Sequence, residues 1–305
     1  MRDAPPAEAR ALAELPPLRE VIRRHRLSAD KRFGQHFLLD LNLTARIARA
    51  AGDLAHGTTV EVGPGPGGLT RALLDAGAAR VVAIEKDPRC VEALADLVAV
   101  ARGRLTVIAG DAAEIDPARL GPPPRRIVAN LPYNVGTHLL IGWLKAIDAF
   151  ESLTLMFQKE VAARLAAPVG GRAYGRLSVL AQYQAHVRAV FDVPARAFTP
   201  PPKVASTIVR LTPRPAREPI PALDALEAVT AAAFGQRRKM LRASLRTLGV
   251  DADALLAAVG IAPTARAETV DVAGFAALAR AYGASSLVSP PGATSDSSEA
   301  TSGST

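Results

Sequence analysis

Between residues 58 and 157 the chain alternates short apolar or β-branched runs with stretches of helical periodicity. Residues 58–62, 80–84, 105–108, 126–129 and 153–157 read as strands. Residues 69–76, 88–101 and 137–147 carry apolar side chains at helical spacing. Gly77 closes the first of these helices, and Asp87 stands ahead of Pro88 as a cap for the second. Asp116 has the same relation to Pro117. Such alternation calls for an α/β fold, a mostly parallel sheet with helices on both faces.

The flanking segments read differently. Residues 42–51 form a helix on Leu43, Ile47 and Ala51, stopped by Gly52. Residues 1–30 read as an N-terminal extension, with a short basic helix beginning at Pro17 and using Leu18, Val21 and Ile22. Residues 187–211 hold two β runs joined by a proline-stiffened loop, which suggests an antiparallel edge on the parallel sheet. A Pro/Arg linker follows, and then helical patterns over 223–234, 237–248, 252–259 and 272–282. The expected domains are therefore 31–212 for the α/β unit and 216–283 for a small all-helical unit. A disordered Ser/Thr/Gly/Pro-rich tail is expected over 284–305.

The formal net charge of +8 suits a polyanionic partner. The single cysteine, Cys90, excludes an internal disulfide and points to a reducing cytoplasm. Its helical neighbours, Val91, Leu94 and Ala95, make it a packed side chain rather than a nucleophile. No apolar run approaches the roughly 20 residues of a membrane span. The first residues lack the layout of a signal peptide. No Cys/His cluster has metal-ligand spacing, so no metal is expected.

Four strand ends carry the chemistry. The first is followed by Gly63-Pro64-Gly65-Pro66-Gly67-Gly68, which lets a cofactor approach the backbone at a helix N-terminus. This turn alone suits a dinucleotide, a nucleoside or no ligand at all. Glu85 ends the second strand, where an acid grips ribose hydroxyls. Asp111 ends the third and is placed to accept a hydrogen bond from an adenine amino group. Either acid also suits a helix cap. The fourth strand ends in Asn130-Leu131-Pro132-Tyr133. There an amide oxygen can accept from an exocyclic amine while an aromatic ring stacks on the base that carries it. A nicotinamide enzyme would use the first two strand ends but has no use for the fourth.

Further runs occur in order along the chain: Lys31-Arg32-Phe33-Gly34-Gln35-His36-Phe37-Leu38, Gln158-Lys159-Glu160, Tyr174-Gly175-Arg176-Leu177, Phe198-Thr199-Pro200-Pro201-Pro202-Lys203-Val204 and Phe234-Gly235-Gln236-Arg237-Arg238-Lys239. With the glycine turn and the Asn130 tetrapeptide, they make residues 31–283 resemble the ribosomal RNA small-subunit adenine dimethyltransferase family (KsgA/RsmA type). The resemblance implies a Rossmann-like class I methyltransferase sheet and S-adenosylmethionine as methyl donor. It further implies, as acceptors, two adjacent adenosines in a hairpin loop near the 3′ end of small-subunit ribosomal RNA. The enzyme would act as a monomer on the immature small subunit and contribute to its biogenesis.

The resemblance puts cofactor contacts on His36, Leu38, Gly63, Gly65, Glu85, Asp111 and Asn130. His36 departs from the asparagine common at its position, which changes the reach and charge of that contact. Asn130, Leu131, Pro132 and Tyr133 form the expected catalytic run, and Phe198 is the candidate for the second face of the target base. Phe198 also suits ordinary core packing at a strand end. Arg237, Arg238, Lys239, Arg242 and Arg246 are expected to bind RNA, with Arg238, Arg242 and Arg246 on one face of a helix. Lys31, Arg32 and Lys203 are expected near the catalytic mouth. His25, His56 and His186 are expected to face solvent. An erythromycin-resistance type of enzyme, acting on one adenosine of large-subunit RNA, is disfavoured by Leu131, by the 198–204 run and by the basic helical segment. A non-catalytic assembly factor is a second class of reading, and the two roles can coexist.

Overall fold

The structure, a computed structural model, describes residues 7–27, 36–133, 135–215 and 223–288. The chain divides into two compact units at residues 217/218.

In the first unit, among the described residues, a seven-stranded sheet forms the centre. Its strands are β2 (Thr58–Val62), β3 (Val81–Glu85), β4 (Leu105–Ala109), β5 (Arg125–Asn130), β6 (Ser152–Gln158), β7 (Ala185–Val193) and β9 (Ser206–Pro213). A separate two-stranded ribbon pairs β1 (Phe37–Leu38) with β8 (Phe198–Thr199). The order across the large sheet is β4-β3-β2-β5-β6-β9-β7. The neighbours from β4 to β6 pair in parallel, and β9 pairs antiparallel to both β6 and β7. The chain therefore winds outward from β2 to β4, returns to β5 and continues the other way. The crevice at that reversal, at the carboxyl ends of β2 and β5, is where such sheets bind ligands.

The expected strands lie within a residue or so of those observed, because each is a short apolar run, and the central ones are buried on both faces. β2 and β3 are buried along their whole length. The helices of this unit are α1 (Ala7–Glu14), α2 (Leu18–Arg24), α3 (Leu41–Ala50), α4 (Gly68–Asp75), α5 (Pro88–Ala93), α6 (Ala95–Val100), α7 (Gly136–Lys145), α8 (Lys159–Leu165) and α9 (Arg176–Gln184). Asp40 caps α3 through the amides of Asn42 and Leu43. Asp87 caps α5 through the Arg89 amide. The single helix expected over 88–101 breaks at Leu94 into α5 and α6. Val98, on α6, is 37% exposed.

Residues 18–27, expected as part of an extension, are integral to this unit. Leu18, Val21 and Leu27 are buried. Val21 and Leu27 pack with Phe37, Cys90 and Ala93. The Arg71 guanidinium donates to the Pro16 carbonyl at 2.8 Å, which ties the segment to α4. Cys90 is fully buried, and burial pushes its thiol pKa up, as a packed rather than reactive cysteine requires.

The second unit contains α10 (Leu223–Gly235), α11 (Leu241–Ser244), α12 (Ala252–Ala258) and α13 (Val272–Val288). α10 packs against α13, with the rings of Phe234 and Phe275 5.4 Å apart. The continuous helix expected over 237–248 does not form. Residues 236–239 are a turn, α11 is one turn long, and Leu245–Leu248 is a 3-10 turn. Arg238, Arg242 and Arg246 therefore do not share a face of one helix. Met240 is 41% exposed and makes an isolated β-bridge with Arg266, whereas Leu241 and Leu245 are buried. α13 continues to Val288, past the expected start of the tail at residue 284. Most of the expected tail lies outside the described residues.

Candidate active site

A cavity of about 270 Å³ opens at the carboxyl ends of β2, β3 and β5. Among the residues that line it are His36, Leu38, Gly63, Gly65, Glu85, Asp111 and the whole run Asn130 to Tyr133. The four strand ends expected to converge do so.

The glycine turn shapes one wall. Gly63 has φ +71°, and a Cβ there would meet no protein atom within 4 Å, so it would stand in the cavity. Gly65 has φ +55°, and a Cβ there would press on the Phe37 ring at 3.3 Å. Both positions need a residue free to adopt left-handed backbone and slim enough for close approach. The turn is held from the next strand. The Gly65 amide donates to Glu85 Oε2 and the Asp87 amide to Glu85 Oε1, each at 2.9 Å. Burial pushes the Glu85 carboxyl above its usual range. The two amides oppose that shift, and the nearby Asp87 charge adds to it. Glu85 thus both braces the turn and borders the cavity.

Asp111 accepts from Lys86 Nζ at 2.6 Å and from the Ala113 amide at 2.9 Å. These bonds, the Lys86 contact first, hold its carboxyl below the usual range. Lys86, unremarked in the sequence, also lines the cavity. Glu61 is the other residue sequence reasoning missed. It lies opposite Val128 in the sheet, lines the cavity and is 1% exposed. Its Oε2 has no hydrogen-bond partner. Burial pushes its carboxyl up to about 8; the nearby Thr70 hydroxyl pulls the other way, and Glu85 adds to the rise. The signal was available: a carboxylate flanked by Val60 and Val62, two residues before the glycines.

The Asn130 side chain is oriented unambiguously. Its Nδ2 donates to the His36 carbonyl at 3.2 Å. A carbonyl oxygen only accepts, so the atom facing it is the amide nitrogen, and Oδ1 is left to accept another bond. Leu131 is buried at 2% exposure and anchors the run. The Pro132 carbonyl accepts the Val135 and Gly136 amides, which starts α7 directly after the motif. Tyr133 is half-buried, and its hydroxyl shares a 2.7 Å hydrogen bond with Ser206 Oγ. Burial raises the phenol pKa, with the Ser206 bond opposing.

Phe198 takes a different place from the one expected. It is 3% exposed and packs in the main core with Leu38, Val193 and Ile208. It is not among the residues lining the cavity. The ring that is there is His36, 5.4 Å from Tyr133 and 6.5 Å from Phe198, edge-on to the latter. Lys203 is exposed on the loop after Phe198. Arg237, Arg238, Lys239, Arg242 and Arg246 are exposed in the second unit. Lys31 and Arg32 lie outside the described residues. His56 and His186 are exposed, and His25 is partly so.

A doubly wound sheet with a glycine turn, two acids and an oriented amide–aromatic run at one crevice defines a Rossmann-like methyltransferase. The comparisons with known proteins narrow the class. The profile described as "Ribosomal RNA adenine dimethylase" matches residues 26–282. The protein named "Ribosomal RNA small subunit methyltransferase A" of Rhodospirillum rubrum is 63% identical over 90% of this chain and 95% of its own. Its counterpart in Paramagnetospirillum magneticum is 62% identical over 90% and 98%. Among solved structures, a dimethyladenosine transferase from Plasmodium falciparum shares 26% identity at a TM-score of 0.66, covering 80% of this chain and 96% of that one. The 23S rRNA methyltransferase ErmE shares 28% at 0.61, covering 81% and 99%. The chain belongs to the ribosomal RNA adenine dimethylase family.

It is therefore an enzyme that uses S-adenosylmethionine to dimethylate adenine in ribosomal RNA. The cavity fits that cofactor. Gly63 leaves backbone open on the cavity side, and Glu85 and Asp111 line it from neighbouring strand ends as carboxylate hydrogen-bond acceptors. Glu61 presents a buried oxygen without a partner beside them. Among the described residues, no helix is long and apolar enough to cross a membrane.

Proposed function

We propose that this enzyme dimethylates two adjacent adenosines in a hairpin loop near the 3′ end of small-subunit (16S) ribosomal RNA. It acts as a monomer on the immature small subunit in the cytoplasm and so contributes to its biogenesis. Support for the choice of subunit comes from the two bacterial relatives described above, each over 60% identical and named for the small subunit. The relative named for 23S RNA is much less similar.

The observation that carries the chemistry is the Asn130 Nδ2 bond to the His36 carbonyl, which turns Oδ1 toward an incoming amine. Bound S-adenosylmethionine supplies a methyl group already activated on a sulfonium. The difficulty lies with the acceptor, an exocyclic nitrogen conjugated with its ring. Asn130 Oδ1 and the Leu131 carbonyl bind its hydrogens and favour the pyramidal nitrogen, whose lone pair then points at the methyl carbon. This is positioning and electrostatic stabilisation without a strong base. S-adenosylmethionine would supply the methyl group in exchange for one amine proton, which leaves to solvent. One hydrogen remains for the second round. Tyr133 stacks on the flipped base, a contact worth roughly 1–3 kcal/mol, with its ring steadied by Ser206. His36, Leu38, Gly63, Gly65, Glu85, Asp111 and Asn130 hold the cofactor. Lys31, Arg32, Lys203, Arg237, Arg238, Lys239, Arg242 and Arg246 meet phosphates.

Labelled S-adenosylmethionine, unmodified small- and large-subunit particles and mass spectrometry of the RNA nucleosides test this reading. Dimethyladenosine at two neighbouring positions of small-subunit RNA is the expected product. Label in large-subunit RNA, or on cytosine, would reject it.

A further inference from the structure

We infer that His36 is a positioning residue that couples the cofactor strand to the loop bearing Phe198, so that filling the cofactor cavity also fixes that loop. The inference rests on the reading of Asn130–Tyr133 as the site where the amine accepts its methyl group.

Three contacts meet at this residue. Its backbone carbonyl holds the Asn130 amide. Its ring lies 5.4 Å from Tyr133 and 6.5 Å from Phe198. Its Nδ1 lies 2.8 Å from the Pro200 carbonyl. Since that oxygen only accepts, Nδ1 carries the proton, and in the neutral ring Nε2 is left as an acceptor.

The ribbon gives these contacts their mechanical sense. Leu38 pairs with Phe198 and Phe37 with Thr199, antiparallel. The next pair along is His36 and Pro200. There the ladder has no further backbone donor to offer from Pro200, because proline has no N–H. The His36 side chain supplies the closing bond instead. The ribbon is short, and two-stranded ribbons are weak alone. One added hydrogen bond at its end is thus a large share of what holds the loop to the cofactor strand. His36 and Leu38 line the cavity while Phe198 sits behind them in the core. Phe198 meets the His36 ring edge-on and does not itself line the cavity.

The chemistry also says which side chains can replace it. The asparagine amide nitrogen stands at the same distance along the side chain as imidazole Nδ1, and it can donate to the Pro200 carbonyl. Glutamine reaches one bond too far, and phenylalanine keeps a ring without the donor.

The test compares wild type with His36→Asn, His36→Gln and His36→Phe in the full-length protein. Amide hydrogen exchange is followed over residues 198–204, without and with saturating S-adenosylhomocysteine, and methyl transfer to small-subunit particles is measured in parallel. Ligand should slow exchange in this loop in wild type and His36→Asn, and leave it unslowed in His36→Gln and His36→Phe. The transfer rate at saturating cofactor should fall about tenfold or more in the latter pair, as expected for misplacement near a reacting centre, and recover in His36→Asn. Equal slowing of exchange in all four proteins would overturn the coupling, as would a His36→Asn enzyme no better than His36→Phe. The exchange measurement contains no RNA. It therefore reports on the coupling even if the assignment of Asn130 to the acceptor amine fails.

Discussion

Glu61 shows how much one side chain can be set by its surroundings. It sits in the middle of an apolar strand, fully enclosed, with one carboxylate oxygen unpaired. The enclosed acid binds its proton up to about pH 8, whereas the unfolded chain releases it in the ordinary carboxylate range. Across the window between these values the folded state holds more protons than the unfolded one. Stability therefore falls as pH rises through that window, by roughly a few kcal/mol. Glu61→Gln removes the titration. In the cofactor-free protein, the Tm of the variant minus that of wild type should grow steadily from pH 5 to pH 8. A difference independent of pH would mean that Glu61 is already ionised in the fold. Among the site residues, the placement of Asn130, Tyr133, Glu85 and Asp111 at the cavity was legible because each lies at or just past a strand end, where chain direction fixes placement. Phe198 was not, because a two-residue strand has too little pattern to say which face its ring takes.

At the level of elements, the glycine turn depends on a helix that looks peripheral in the sequence. A Cβ on Gly68 would lie 2.8 Å from the Leu38 carbonyl and 3.0 Å from Leu18 Cδ1. The start of α4 is therefore clamped between β1 and α2. Leu18→Ala should cost about 2–5 kcal/mol in stability, as other buried leucines do. It should also weaken S-adenosylmethionine binding measured by calorimetry, because the turn loses its backing. Unchanged affinity at reduced Tm would separate α2 from the site. The elements that went unread share a physical cause. α9 buries Ser178, Val179, Leu180, Ala181, Tyr183 and Gln184, so it carries no polar stripe to betray its period. α8 has only seven residues. The expected helix over 237–248 had the right composition, but Met240 turns to extended backbone and pairs with Arg266, which breaks it.

Over the whole molecule, the proposed function divides tasks between the two units. The first carries the cavity, the oriented amide and the Tyr133 ring. The second carries exposed cations within a few residues of one another, from Arg237 to Arg246. The order of strands and helices was readable because a parallel sheet demands alternation, and the basic run was readable as composition without its conformation. If the division is real, removing the Asn130 oxygen should stop the chemistry and spare the binding of RNA. The decisive measurement is single-turnover methyl transfer to small-subunit particles by Asn130→Ala, with particle affinity measured on the same preparation. Loss of about 10²–10³ in rate, the usual cost of deleting one pre-placed polar group, with affinity retained, is the expected result. Transfer near the wild-type rate, or affinity lost in step with transfer, would contradict it.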